Sequence, residues 1–437
     1  MSKLLSINFH GLNTHALKMA APEAASPQSA GGVVRENFLA WTRDEKNQVA
    51  GKVYSGYQTS LLKKSGFAES KAAAQTLIKL GCDTLVIFGI GGSSLGAKCV
   101  YESLRLSEPL RKLIFLENID PTVLHHTLES LEWKRTAFAV ITKAGGTIET
   151  LAQFSEILSR APTKLGAQWK DHFVAITDPE KGDLRKWVRA TGITALSVPP
   201  EVGGRFSVFT PVGLLPLAFA GVDVDELARG ALETFAGKVV PLTEIEELGQ
   251  RLMDLYAQGS DTHVIMPYAS SLKPLGDWCV QLIGESLGKL RSPQKREGLV
   301  PLAALGATDQ HSLLQLLMEG PQKFVTHFVE IENWGETAAQ YTFHDLPPEF
   351  TSLQFAYGKP LYEILNAELS ATAMAMERSG RAYFKITLRE NRAANLGALL
   401  AFYMDLVTYL GACLDINPYD QPGVELGKRI LKEIFAD

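Results

Sequence analysis

The sequence predicts an α/β protein in which parallel strands form a sheet covered by helices. From about residue 70, helical patterns alternate with short apolar runs bounded by turn residues, as in βαβ units. Five of these runs contain no charged residue, which is typical of strands buried on both faces of a sheet. They predict one five-stranded sheet, with strands at residues 85–88, 113–116, 138–141, 173–176 and 195–198.

A second series of apolar runs follows a polar stretch at residues 230–250. These runs predict strands at residues 264–266, 324–331 and 383–388. The sequence DTHVI at 261–265 echoes DTLVI at 83–87, which hints at two related α/β units in tandem. Residues 1–60 lack such runs and predict a mostly helical or irregular segment ahead of both units.

Composition limits the kind of ligand. The 437 residues suffice for two or three domains, and 48 acidic against 43 basic residues leave a net charge of −5. Nucleic-acid binding needs an excess of Lys and Arg on one face, so the composition argues against it, although a local pocket can still hold a small anion. Four cysteines without paired spacing predict neither disulfides nor a cysteine zinc site, and they indicate a cytoplasmic protein.

One apolar stretch, residues 396–416, is long enough to consider as a membrane span. Asp405 lies in its middle, where a carboxylate would be costly inside a bilayer. We therefore expect a helix buried between domains and no membrane association. Residues 1–11 have no apolar region of the secretory kind.

Two glycine-containing loops follow predicted strands. The first, GIGGSSLG at residues 89–96, precedes a helix, and glycines there let the backbone approach an anion near free N–H groups. Its spacing matches neither the dinucleotide fingerprint nor the P-loop, and a tight structural turn is an equal alternative. The second, TKAGGTIET at 142–150, adds the hydroxyls of Thr142 and Thr147 and the cation of Lys143. Because parallel strands end at the same edge of a sheet, we expect both loops to share one phosphate.

Two further motifs carry charged side chains that suit proton chemistry. A lone Arg is usually a solvated surface residue. In VGGRFSV at 202–208, however, Arg205 stands between glycines and apolar residues, so we expect it to be partly shielded from water. In QLIGESLGK at 281–289, helical spacing places Gln281 and Glu285 on one face. The ordinary alternative is an i,i+4 pair of Glu285 with Lys289.

Two motifs near the end of the chain leave their roles open. His311, in GATDQHS at 306–312, is either a hydrogen-bonded core histidine or a proton carrier. The segment NPYDQPGVELGK at 417–428 leads into a terminal helix whose apolar stripe does not include Lys428. That lysine therefore points toward water or into a site.

Five of these motifs, in this order, resemble the glucose-6-phosphate isomerase family. The resemblance covers the chain from about residue 80 to its end. The motifs are GIGGS at 89–93, GGRFS at 203–207, ESLGK at 285–289, QHS at 310–312 and QPGVELGK at 421–428.

The resemblance implies the architecture and the activity. It implies two sugar-isomerase α/β domains, each a parallel sheet flanked by helices, and a cytoplasmic homodimer that needs no cofactor and no metal. Domain boundaries would give a helical N-terminal segment, two domains and a C-terminal arm, at 1–60, 61–230, 231–405 and 406–437. The reaction would interconvert D-glucose 6-phosphate and D-fructose 6-phosphate, in glycolysis and gluconeogenesis. The alternatives are a related isomerase that also accepts mannose 6-phosphate and a non-catalytic sugar-phosphate-binding regulator.

The resemblance also implies roles for individual residues. Glu285 would move a proton between C1 and C2, and Arg205 would stabilise the cis-enediol(ate). His311, reaching in from the partner subunit, would open the sugar ring together with Lys428. Residues that would bind the substrate, including its phosphate, are Gly92, Ser93, Thr142, Lys143, Thr147, Gln281 and Gln421.

The proposed chemistry suits these residue types. Aldose–ketose isomerisation needs a shielded carboxylate as base and a fixed cation beside the oxygen that gains charge. One departure from the family pattern is Ala144-Gly145-Gly146, where hydroxyl-bearing residues are usual. We expect either weaker phosphate binding or compensation by backbone N–H groups.

Overall fold

The computed structural model describes residues 4–9, 11–12, 31–43, 55–108 and 110–436. Within these ranges the strands form two five-stranded sheets and one two-stranded ribbon. In chain order they are β1 Leu5–Asn8, β2 Thr84–Phe88, β3 Lys112–Leu116, β4 Thr136–Ile141, β5 Phe173–Thr177, β6 Thr194–Ser197, β7 Thr262–Pro267, β8 Lys289–Ser292, β9 Lys295–Glu297, β10 Val300–Ala303, β11 Phe324–Asn333 and β12 Ala382–Glu390.

Helices cover and connect these sheets. The α-helices are Gly31–Arg43, Tyr57–Leu62, Phe67–Lys79, Leu95–Leu104, Pro121–Ser130, Ile148–Leu165, Asp183–Thr191, Pro211–Ala220, Val224–Phe235, Leu242–Ala257, Lys273–Leu287, Gln310–Glu319, Gly335–Ala339, Leu361–Arg378, Ala393–Cys413 and Glu425–Ile434. The α/β fold class predicted from the sequence is confirmed.

The first sheet has the strand order β3-β2-β4-β5-β6, and all of its strands are parallel. The five strands predicted from uncharged apolar runs are therefore confirmed. The chain moves from β2 to β3 on one side and then returns past β2 to β4 on the other. This reversal opens a crevice at the carboxyl ends of β2 and β4, where ligands bind in open α/β sheets.

The second sheet has the order β1-β12-β11-β7-β10. Strands β7, β10, β11 and β12 are parallel, and the three predicted strands lie within β7, β11 and β12. Strand β1 pairs antiparallel with β12, with Leu5 opposite Leu388. The sequence pattern of residues 1–60 does not reveal β1, because this four-residue strand gains its hydrogen bonds from a partner almost the whole chain away.

The apolar helix Ala393–Cys413 is the centre of the core. It is long and apolar enough to cross a membrane, yet 94% of its most apolar window is buried inside the protein. The buried carboxylate of Asp405 accepts hydrogen bonds from Tyr57 Oη at 2.9 Å and Gln58 Nε2 at 2.7 Å. Satisfied hydrogen bonds are what make a buried carboxylate tolerable, so the interpretation as a buried helix is confirmed.

The same helix fixes the chain that follows it. Tyr419 is buried, and its hydroxyl donates to Thr408 Oγ1 on the helix at 3.1 Å. The Tyr419 ring also packs against Phe206, with ring centroids 5.3 Å apart. These contacts lay residues 417–421 beside the loop that carries Arg205.

Candidate active site

The two glycine-containing loops lie side by side at the crevice of the first sheet. One follows β2 as a short turn, Gly91–Ser93, and the other follows β4 and leads into helix Ile148–Leu165. Strands β2 and β4 are direct neighbours, so their carboxyl ends bring both loops to one place.

The first loop packs tightly against the loop that carries Arg205. A Cβ added at Gly92 would lie 2.2 Å from the carbonyl carbon of Gly204, so only glycine fits. Ser207 Oγ donates to the Gly92 carbonyl oxygen at 3.1 Å. Ser94, in the same loop, donates to Glu117 Oε1 at 2.6 Å. The glycines thus join two motifs that lie more than a hundred residues apart in the sequence.

The second loop is held by its own hydroxyls. Thr142 Oγ1 lies 2.8 Å from Thr147 Oγ1 and accepts a hydrogen bond from the Gly145 N–H at 3.2 Å. Gly145 has φ of +72°, and a Cβ there would lie 2.8 Å from Gly182 Cα. The glycine is therefore required by conformation and by a close backbone contact, which explains why a hydroxyl-bearing side chain is missing at this position.

Lys143 connects the second loop to the Arg205 loop. Its Nζ donates to the carbonyl oxygens of Pro200 at 2.7 Å and Val202 at 2.8 Å. Burial lowers the pKa of the Lys143 ammonium to about 8, against the opposing effect of the Asp178 and Glu201 carboxylates. A cation with this pKa is mostly charged at neutral pH and loses its charge under mildly alkaline conditions.

Arg205 is the most completely bound side chain of the site. Its side chain is only 1% exposed, so it is not the solvated surface arginine that a lone Arg usually is. All five of its N–H groups have acceptors. These are Ser286 Oγ at 2.7 Å from Nε, Gln421 Oε1 at 2.6 Å and Glu285 Oε2 at 3.3 Å from Nη1, and the carbonyl oxygens of Pro418 at 2.5 Å and Asp420 at 3.0 Å from Nη2. Burial lowers the pKa of the Arg205 guanidinium, and the Glu285 and Asp420 carboxylates oppose that effect.

Glu285 faces both the arginine and the crevice. It lies on helix Lys273–Leu287, where Gln281 Nε2 donates to its Oε1 at 3.3 Å. Its side chain is 33% exposed, which leaves the carboxylate accessible to a ligand. A Cβ at Gly91 would lie 2.7 Å from Gln281 Nε2, so the first loop borders the same pair. The side chains of Gln281, Glu285, Arg205 and Gln421 therefore lie together in the structure.

Lys289 does not pair with Glu285, because the helix ends at Leu287 and Lys289 begins strand β8. Its Nζ instead lies 2.9 Å from Asp420 Oδ1. Sequence reasoning missed this pair and the contact of Ser286 with Arg205. Lys289 stands in one of the motifs that carried the resemblance and Asp420 directly precedes another, which was the available signal, but a separation of 131 residues hides the contact itself.

His311 and Lys428 occupy other positions. His311 is exposed at the start of helix Gln310–Glu319, so it is not a core histidine. Lys428 is exposed and pairs with Glu425 at 2.7 Å on the same helix. Within the described ranges, no hydrogen bond or ion pair joins either residue to Arg205 or Glu285. In the part of the chain that the structure describes, no three His, Cys, Asp or Glu side chains converge as metal ligands would.

In a comparison with known protein families, the model of the family "Phosphoglucose isomerase" matches residues 70–437. Glucose-6-phosphate isomerase of Carboxydothermus hydrogenoformans is 39% identical over 79% of this chain and 77% of its own length. That of Thermus thermophilus is 36% identical over 81% and 84%. A hypothetical protein of Thermus thermophilus has a similar structure, with a TM-score of 0.85 and 30% identity over 99% of this chain and all of that one. A glucose-6-phosphate isomerase of Chlamydia trachomatis shares the fold, with a TM-score of 0.69 over 98% of this chain and 80% of that one.

The lowered pKa of Lys143 predicts how anion binding depends on pH. If its ammonium contributes to anion binding, affinity for a tetrahedral dianion should fall as pH rises from 7 to 9.5, because the lysine loses its charge near pH 8. Sulfate is the suitable probe, since it does not titrate in this range, and calorimetry would give its Kd. Lys143→Arg should bind sulfate with little pH dependence, because arginine stays charged. The same pH profile for the wild type and for Lys143→Arg would contradict the assignment.

Proposed function

The chain belongs to the phosphoglucose isomerase family, and we propose how its residues interconvert D-glucose 6-phosphate and D-fructose 6-phosphate. The observation that carries the proposal is the contact between the accessible carboxylate of Glu285 and the buried guanidinium of Arg205, 3.3 Å apart. Aldose–ketose isomerisation needs this combination of a base and a fixed cation.

Glu285 acts as the base. It removes the proton from C2 of the open-chain aldose, or from C1 of the ketose, and returns it to the neighbouring carbon. Its Oε2 contacts Arg205 and its Oε1 accepts from Gln281, so the carboxylate is oriented by two donors. Fixing the base in advance removes part of the entropic cost of the proton transfer.

Arg205 stabilises the cis-enediol(ate) that forms when the proton leaves. Its N–H groups are already bound, so it acts chiefly as a fixed positive charge in a desolvated place. A charge in such a place interacts more strongly with developing negative charge than the same charge in water, and it needs no reorganisation during the reaction.

The two loops of the first sheet bind the phosphate. Gly92 and Ser93 supply the first loop, and Thr142, Lys143 and Thr147 supply the second. Their hydroxyls, cation and backbone N–H groups suit a dianion although the chain as a whole is acidic. Binding the phosphate far from the reacting carbons holds C1 and C2 beside Glu285.

Ring opening comes before isomerisation and moves a proton at the ring oxygen. Two residues assist this step: His311, which the partner subunit of a homodimer supplies, and Lys428. The reaction belongs to glycolysis and gluconeogenesis. A cytoplasmic location is supported by Cys82, Cys99, Cys279 and Cys413, which are all unpaired thiols, as expected in a reducing compartment.

Glu285→Gln tests the role of the base. It should lower kcat for fructose 6-phosphate about 10²- to 10⁴-fold, because an amide cannot accept the proton. A coupled assay measures kcat, and in heavy water the wild type should place deuterium at C2 of the product. Glu156→Gln, at an exposed helix carboxylate, serves as the control. Full activity of Glu285→Gln, or no turnover by the wild type, would refute the mechanism.

Subunit complementation tests whether His311 acts across a dimer. Glu285→Gln and His311→Ala should each be nearly inactive alone. Coexpression should recover about a quarter of wild-type activity, because half of the dimers are mixed and each mixed dimer has one intact site. If His311 serves its own subunit, no mixed dimer has an intact site and activity stays at the level of the single variants.

A further inference from the structure

We propose that Lys289 is a positioning residue for the isomerisation. Through Asp420 it holds the segment 417–421 on the Arg205 guanidinium, and so fixes the direction in which Arg205 faces Glu285. The inference rests on the proposed function, since the consequence of that orientation is measured in turnover.

The Lys289 ammonium is buried and donates its hydrogen bonds to Asp420. Its side chain is 6% exposed, and its Nζ lies 2.9 Å from Asp420 Oδ1 and also donates to the Asp420 carbonyl oxygen. Burial lowers the pKa of Lys289, and the Asp420 carboxylate opposes that effect. A buried ammonium is tolerated only when it is paired and hydrogen-bonded, so the position of Lys289 depends on Asp420.

Lys289 and Arg205 donate hydrogen bonds to the same oxygen atom. The Asp420 carbonyl oxygen that accepts from Lys289 also accepts from Arg205 Nη2 at 3.0 Å. Two cations that share one acceptor repel each other, and the nearby Arg205 charge contributes to the lowered pKa of Lys289. The carboxylate of Asp420 offsets this repulsion, and Asn417 Nδ2 donates to its second oxygen at 3.2 Å. Moving Lys289 or Asp420 therefore moves an acceptor of Arg205.

The contacts of the segment transmit this effect to the reacting groups. Gln421 Oε1 and Glu285 Oε2 share Nη1 of Arg205, at 2.6 and 3.3 Å. The segment thus occupies one N–H of Nη1 and both N–H groups of Nη2, which leaves a single N–H of the arginine for the base. If the segment is released, the guanidinium can rotate toward water or bind Glu285 in a bidentate way. The first change removes the cation from the base, and the second makes the carboxylate a weaker base, because a bidentate pair stabilises its charged form.

Charge balance adds to the effect of losing Lys289, whereas losing Asp420 acts through the position of the segment. The cluster contains two cations, Arg205 and Lys289, and two carboxylates, Glu285 and Asp420. Removing the Lys289 charge leaves an excess of negative charge beside the place where the enediolate forms. That excess raises the free energy of the transition state, where negative charge develops. It affects the bound substrate less, because the substrate's phosphate is held by other loops. We therefore expect an effect on kcat with little effect on KM.

The test compares Lys289→Met, Lys289→Arg, Asp420→Asn and the double variant Lys289→Met/Asp420→Asn, with fructose 6-phosphate as substrate. The matched control is Lys71→Met, which breaks another Lys–Asp pair between distant segments, 2.8 Å long but exposed at 45% and 54%. Thermal unfolding of each variant is measured beside kcat and KM, so that loss of folded protein is separated from loss of turnover.

A positioning role predicts a split between the kinetic constants. Lys289→Met and Asp420→Asn should each lower kcat about tenfold or more with KM changed less than about threefold, and the double variant should be no slower than the worse single variant. Lys289→Arg should recover most of kcat, and Lys71→Met should have wild-type constants.

Other results overturn the inference. Wild-type kcat in Lys289→Met, or additive losses in the double variant, would show that the pair does not act on Arg205. If Lys289→Met does not fold, Asp420→Asn with wild-type kcat would refute the inference as well. Turnover by the wild type together with loss in Glu285→Gln separates failure of this inference from failure of the proposed function, and an inactive wild type overturns both.

Discussion

The site depends on burying one arginine completely. Taking the Arg205 guanidinium out of water costs several kcal/mol unless each of its five donors is satisfied. Ser286 and Glu285 come from helix Lys273–Leu287, and the other acceptors come from the segment 417–421. The arginine thus requires the second α/β unit and the end of the chain to meet the first unit. The same requirement places the base beside the cation.

The core helix Ala393–Cys413 holds the segment 417–421 in place beside Arg205. It carries a buried carboxylate, Asp405, whose partner Tyr57 also contacts Thr408, and Thr408 accepts from Tyr419. This polar chain connects the N-terminal part of the protein, the core helix and the segment that caps Arg205. A buried polar network that is satisfied in this way fixes one arrangement, because a shifted arrangement would leave several groups unpaired.

Much of this could be predicted from the sequence where the signal is local. Uncharged runs mark β2 to β6, and Asp405 in an apolar stretch indicates a core helix rather than a span. The strand β1 and the pair Lys289–Asp420 could not be predicted, because both depend on partners far away in the chain. The glycines at 92 and 145 looked like anion-binding features, and the structure adds a second reason for them in close backbone contacts. The domain boundaries and the role of Lys428 stay predictions. The role of His311 also stays a prediction, since it depends on a partner subunit.

The central claim is that the fixed charge of Arg205 stabilises the enediolate rather than the bound sugar. The most direct measurement compares the affinities of the wild type and Arg205→Gln for two sugar-phosphate analogues. One analogue has a hydroxamate at the reacting end, which mimics the enediolate, and the other is a polyol phosphate without charge there. The wild type should prefer the hydroxamate about a hundredfold or more, and Arg205→Gln should lose most of that preference while it still binds the polyol phosphate. The same preference in both proteins would contradict the account.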